Sequence, residues 1–255
     1  MNKTVFITGS TSGIGEACAY RFASAGARLI LNGRDVEKLE NLKRVIFDCY
    51  GSEIMLLPFD VRDTAAVKSA ICGLPLPWRD IDILINNAGL VIGVDREYEG
   101  DLAEWDIVID TNIKGLLNIT RMVVPRMVER QTGHIINIGS VAGDAAYAGG
   151  SVYCATKAAV KALSDGLRID LVDTPLRVTN IKPGLVETHF SITRFRGDKA
   201  SADAVYRGLK PLSGADVAET VFFAASAPEH IQIAEVLIMP TSQATATVVH
   251  KKINT

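Results

Sequence analysis

Charge of one sign is what this 255-residue chain most plainly lacks: its formal net charge is −2. A balance that close to neutral gives no reason to expect nucleic acid or an anionic membrane as a partner. Long hydrophobic runs are missing too. No uncharged apolar stretch reaches the ~20 residues that span a bilayer, so no membrane segment is expected. Cysteine is scarce, and the four present (Cys18, Cys49, Cys72 and Cys154) are scattered. They have no metal-ligand spacing and imply no pairing, so no metal site is expected; reduced thiols in a cytoplasmic protein are. Met1-Asn-Lys leads straight into a strand pattern, which predicts no signal peptide. No repeat, low-complexity segment or evident linker divides the chain.

What the chain has is apolar residue, 48% of the total, at a length that suits one α/β domain with a sizeable core. β-rich apolar runs alternate with helical patterns. Strands are predicted near Thr4–Thr8, Arg28–Asn32, Ile54–Pro58, Ile81–Asn86, His134–Gly139, Arg177–Lys182 and Glu235–Ile238. Such alternation means a parallel, doubly wound sheet with helices on both faces. Two long helical patterns stand out, Leu102–Arg130 and Ser151–Val172. The polar stretch Val186–Gly214, which carries Arg194-Phe-Arg-Gly197, interrupts the alternation. Long insertions of that kind are often lids over sites.

The first strand runs into Thr8-Gly9-Ser10-Thr11-Ser12-Gly13-Ile14-Gly15, and a helical pattern follows. A strand, a glycine turn and a helix let backbone approach a pyrophosphate at a helix N-terminus that favours the anion. The spacing is one residue longer than the usual dinucleotide fingerprint, and a purely structural turn is the alternative. Asp82-Ile-Leu-Ile-Asn86-Asn87-Ala88-Gly89 ends a strand in two amides and a glycine. That suits either the crevice at the carboxyl edge of a parallel sheet or an ordinary turn. Gly133-His-Ile-Ile-Asn-Ile-Gly139-Ser140 ends another strand in a serine that can hydrogen-bond a substrate oxygen or cap a turn. Tyr153 and Lys157 lie four apart in a helical pattern, hence on one face. An ammonium beside a phenol lowers its pKa from about 10. That makes Tyr153 a candidate general acid/base.

With these motifs in this order, the chain resembles the short-chain dehydrogenase/reductase family in its compact one-domain form. The matching residues are Thr8 to Gly15, Asp60, Asn86 to Gly89, Asn112, Ser140, Tyr153, Lys157 and Pro183-Gly184. The resemblance implies a single Rossmann-like domain over 1–255, with 186–214 as substrate lid. It implies catalysis by Asn112, Ser140, Tyr153 and Lys157, with Lys157 also bonding the nicotinamide ribose and Asn112 holding a water in a proton relay. A local helix kink is the other reading of Asn112. Cofactor contacts are implied for Gly9, Ser10, Thr11, Ser12, Gly13, Ile14 and Gly15. They are implied also for Asp60, Val61, Asn87, Ala88, Gly89, Pro183, Gly184, Val186 and Thr188. Asp60 can equally be a helix N-cap for Thr64–Cys72, and the two roles are compatible. The two long helices commonly pack across a subunit interface in the family, which implies a homo-oligomer, with a tetramer favoured.

The end of the second strand meets the adenosine ribose in such folds, and a carboxylate there repels a 2′-phosphate. Here the strand ends Leu31-Asn32-Gly33-Arg34. Arg34 can bind phosphate in a bidentate way, so NADP(H) is predicted over NAD(H), although Asp35 and Ser12 stand where many relatives are basic. The segments Val186 to Gly197, Pro211 to Val217 and Met239 to Ala244 resemble the branch of NADP-dependent 3-hydroxy acid dehydrogenases. These act on serine, allo-threonine and 3-hydroxypropionate. A small acid needs a cation for its carboxylate; Arg194 is preferred over Arg196, and a solvated lid charge is the alternative. A 3-oxoacyl-carrier-protein reductase shares the catalytic residues but usually wants a basic surface. A steroid or sugar reductase would need a roomier, more apolar lid. A nucleotide-sensing regulator on the same fold would usually lose the tyrosine or lysine.

Overall fold

The computed structural model describes residues 1–252. In chain order the elements are β1 (Thr4–Ile7), α1 (Gly13–Ser24), β2 (Arg28–Gly33), α2 (Val36–Tyr50), β3 (Ile54–Pro58), α3 (Thr64–Cys72) and the single turn α4 (Leu76–Arg79). Then come β4 (Ile83–Asn86), α5 (Leu102–Ile109), α6 (Leu116–Arg130), β5 (His134–Ile138), α7 (Ser151–Asp170) and β6 (Arg177–Pro183). The chain ends with α8 (Phe190–Arg194), α9 (Lys199–Tyr206), α10 (Gly214–Ser226) and β7 (Glu235–Ile238). The seven strands form one sheet in the order β3-β2-β1-β4-β5-β6-β7, and every pairing is parallel. This is the doubly wound α/β architecture predicted from the alternation, with strand ends shifted by a residue or two.

Alternate strand residues face opposite layers. Val5 and Ile7 of β1, Leu29 and Leu31 of β2, and Ile83 and Ile85 of β4 pack with Phe22 of α1, Leu39 of α2 and Val221 of α10. Phe6, Ile30 and Leu84 point the other way, onto Val67 of α3 and Ile119, Val123 and Met127 of α6. Both faces are therefore covered, as an all-parallel sheet requires. The order reverses at β1, which pairs with β2 on one side and β4 on the other. That reversal opens a crevice at the carboxyl ends of the strands.

Two local expectations are corrected. The pattern Leu102–Arg130 is not one helix: a π turn over Asp110–Gly115 divides it into α5 and α6. Such turns widen the ladder by one residue and recur at functional sites. The N-cap of α3 is Asp63, whose side chain accepts from Ala66 N at 2.9 Å, not Asp60. Asp60 turns its carboxylate to Arg62 instead, which leaves it at the crevice.

Candidate active site

The crevice is a cleft of about 600 Å³. Gly9, Thr11, Ser12, Gly13, Ile14, Arg34, Asp60, Val61, Asn87, Ala88 and Gly89 line it. So do Ser140, Tyr153, Lys157, Pro183, Gly184, Val186, Thr188 and Arg194. Three sequence candidates lie outside the lining. Ser10 is fully buried and donates its hydroxyl to Asn32 O at 3.0 Å, so it ties the glycine turn to β2. Gly15 closes that turn: a Cβ there would stand 2.3 Å from Gly9 O and 2.4 Å from Asn87 Nδ2. Asn112 sits in the π turn, where its Nδ2 donates to Leu90 O at 2.8 Å and to Thr156 Oγ1 at 3.0 Å. Its Oδ1 accepts from Leu90 N at 2.8 Å. Both amide hydrogens are spent, so the side chain fastens the β4 loop to α7 and has no free donor for a relay water.

The glycine turn fits a dinucleotide. Gly9 and Gly13 have φ of +62° and +59°, left-handed conformations that side chains disfavour. Ser12 is the N-cap of α1 but makes no side-chain capping bond. The first N–H groups of a twelve-residue helix thus meet the cleft without a side-chain acceptor, the arrangement that attracts a phosphate. Thr8 braces the opposite wall, its Oγ1 accepting from Asn87 N and Ala88 N, both at 3.0 Å.

Tyr153 and Lys157 share the buried face of α7, 8% and 6% exposed. Burial pushes the Tyr153 hydroxyl above its usual range; Tyr147 adds to the rise, while Ser140 and Arg194 oppose it. The downward pull expected from Lys157 is not among the influences on Tyr153. Its Nζ donates to Ile138 O at 2.8 Å and lies 5.9 Å from the centre of the Tyr153 ring. Burial also brings Lys157 itself down to about 8. Desolvation governs both groups because both are sunk in the same wall. Tyr153 is thus a protonated phenol at neutral pH, prepared to give a proton.

Over the site stand α8 and α9. Phe190 packs edge-on to Tyr153, with ring centres 5.6 Å apart. Arg194 carries its guanidinium 5.3 Å from the Tyr147 ring centre and 5.8 Å from that of Phe195, and its buried Nε has no hydrogen-bond partner. Arg196, the other lid arginine, is committed elsewhere. Its Nε and Nη2 reach Glu104 at 2.8 and 2.7 Å, and Nη2 also pairs with Asp95. Gly93 N donates to Arg194 O at 2.9 Å.

Further residues line the cleft. Tyr147 lies beside Arg194 and faces Tyr153, and a Cβ on the adjoining Gly150 would stand 2.1 Å from the Tyr147 ring. Tyr206 donates to Val186 O at 2.8 Å. Gln243 accepts from Leu185 N at 2.8 Å and so fixes the Pro183–Val186 segment.

Residues 3–199 match the family model of the short chain dehydrogenases. An NADP-dependent 3-hydroxy acid dehydrogenase of Salmonella typhi is 46% identical over 243 residues, 95% of this chain and 96% of its own length. A serine 3-dehydrogenase of Rhizobium radiobacter is 43% identical over 246 residues, 96% of this chain and 97% of that one. Among solved structures, the closed form of a serine dehydrogenase complexed with NADP+ superposes with a TM-score of 0.91 at 45% identity. The match covers 98% of this chain and 100% of that one.

Proposed function

The chain belongs to the short-chain dehydrogenase family, and on that premise we propose that it transfers a hydride between NADP(H) and the alcohol carbon of a short 3-hydroxy acid. Serine, allo-threonine and 3-hydroxypropionate are the substrate type. The names of the relatives support both cofactor and substrate class. The observation that carries the substrate is Arg194. It is a cation with an unpartnered buried nitrogen, lining the same cleft as Ser140, Tyr153 and Lys157.

When bound, the nicotinamide supplies or accepts the hydride. The glycine turn and the N-terminus of α1 would receive the pyrophosphate. Arg34 would take the 2′-phosphate, while Asp60 and Val61 would border the adenine and Asn87 to Gly89 the ribose. Pro183, Gly184, Val186 and Thr188 would flank the nicotinamide, and Lys157 would bond its ribose. Ser140 orients the substrate oxygen. In reduction Tyr153 Oη gives its proton to the carbonyl oxygen as that oxygen becomes the alcohol. In oxidation Tyr153 Oη, once it has given up its own proton, takes the hydroxyl proton. Arg194 holds the carboxylate and thereby sets the carbinol carbon against the reacting face.

Two groups of exposed apolar residues support a homotetramer. Leu102, Ile169 and Val172 lie on or beside α5 and α7, and Phe223 and Leu237 lie on α10 and the edge strand β7. Two distinct self-complementary faces generate a closed tetramer. Free cysteines support a cytoplasmic setting, which cell fractionation that finds the protein elsewhere would contradict.

The test of the substrate reading is Arg194→Ala. The variant is expected to lose about 10- to 100-fold in kcat/KM for 3-hydroxy acids, the worth of a charge-assisted bidentate contact. Neutral secondary alcohols should change less than about threefold. Equal losses on both would assign Arg194 to the architecture of the lid instead.

A further inference from the structure

Behind Arg34 and Asp60, which line the cleft, stands a third charged side chain, Arg62. Arg34 Nη1 stands 3.9 Å from Asp60 Oδ2, and the Arg34 side chain is 67% exposed. Arg62 forks onto the same carboxylate. Its Nε lies 3.0 Å from both oxygens and its Nη2 2.7 Å from Oδ2, while its backbone N donates to Oδ1 at 2.9 Å. The two arginines are thus unequal partners. The Arg62 hydrogen bonds are the largest influence holding the Asp60 carboxyl below its usual range, and the charge of Arg34 is the smallest named. Other acids nearby are engaged. Asp35 caps α2 through Lys38 N at 3.0 Å, and Asp110 pairs with Lys114 at 2.6 Å.

We propose that Arg62 is a specificity-determining residue for NADP(H): by holding the Asp60 carboxylate it leaves the Arg34 guanidinium available for the 2′-phosphate. The inference rests on the cofactor reading above. Without Arg62, a bare carboxylate 3.9 Å from Arg34 would act twice against a phosphate. It would draw Arg34 into an ion pair, and it would repel the dianion that Arg34 holds. Both effects lie within the Debye length of about 8 Å at physiological ionic strength. A 2′-hydroxyl carries no charge, so NAD(H) escapes both. Two arginines to one carboxylate leave the pocket one net positive charge, although no basic residue stands at Asp35 or in the glycine turn. Arg62 itself is not among the residues lining the cleft, so it acts through Asp60 as a positioning residue.

The experiment is equilibrium binding of NADPH and NADH to the full chain, read by cofactor fluorescence at fixed salt. The proteins are wild type, Arg62→Gln, Asp60→Asn and the double variant. Arg62→Gln is expected to raise the Kd for NADPH about 10-fold or more and to move that for NADH less than about 3-fold. In the Asp60→Asn background the same change should leave the NADPH-to-NADH ratio within about 3-fold. Arg62→Lys, which keeps the charge but not the fork, should fall between and covers a Gln variant that fails to fold. An unchanged ratio in Arg62→Gln overturns the proposal. So does an undiminished loss in the Asp60→Asn background, which would make Arg62 a direct phosphate ligand. A wild type that binds NADH as tightly as NADPH instead sinks the cofactor reading, and the wild-type titration alone decides that.

Discussion

Lys157 carries its charge where the fold gives it one neutral acceptor, the Ile138 carbonyl, and burial alone sets its pKa at about 8 against an ordinary 10.5. Below about pH 8 the folded chain therefore bears the full cost of a desolvated ammonium, roughly 3 kcal/mol at 1.36 kcal/mol per pKa unit. The sign follows from proton counting. Between pH 8 and 10.5 the unfolded chain binds more protons, so this cost fades as pH rises. Lys157→Met is expected to melt higher than the wild type at pH 7 while losing turnover. The gap should be constant below about pH 8 and close toward pH 10.5. Thermal melts across that range check it, and a variant less stable at pH 7 would contradict it. The Tyr153–Lys157 pair was legible because spacing fixes a helix face. Which way the phenol shifts was not, since spacing says nothing of burial.

At the scale of elements, alternation of apolar runs gave away every strand, while the break inside the Leu102–Arg130 pattern showed only as a possible kink at Asn112. Asp110-Thr-Asn-Ile-Lys-Gly115 has nothing that forbids an α-helix, yet it forms a π turn because Asn112 is drawn onto the Leu90 backbone. Likewise Asp60 and Asp63 are both competent caps, and only packing chooses Asp63. The lid shows the same dependence. Arg196 adopts a left-handed φ of 52°, a conformation that costs on the order of 1 kcal/mol. Its pairing with Glu104 and Asp95 holds it away from the cleft, which of the two arginines only Arg194 lines. α10 and β7 carry the other element-scale prediction. Placing a charge on the half-exposed Phe223 face, by Phe223→Glu, should split the proposed tetramer into dimers without unfolding it. Light scattering measures this, and a wild-type monomer would contradict the proposed assembly.

For the whole molecule, right-handed crossovers decide which face each helix covers, the structure supplies the strand order, and the reversal at β1 then dictates where a ligand sits. That is why residues as distant as Gly13, Asp60, Asn87, Ser140 and Thr188 converge on one cleft and could be named from motifs alone. Arg62 could not, because nothing in the sequence says that its side chain turns back onto Asp60, two residues before it. No helix among the described residues is long and apolar enough to cross a membrane. The measurement that bears most directly on the account is a set of initial rates with NADP+ and NAD+ against L-serine, L-allo-threonine, 3-hydroxypropionate, 3-hydroxybutyrate and a neutral secondary alcohol. The account predicts turnover of the 3-hydroxy acids that depends on NADP+, with the neutral alcohol slower. Activity on the neutral alcohol alone, or none until an acetoacetyl thioester is offered with NADPH, would contradict it while leaving the Tyr153 chemistry in place.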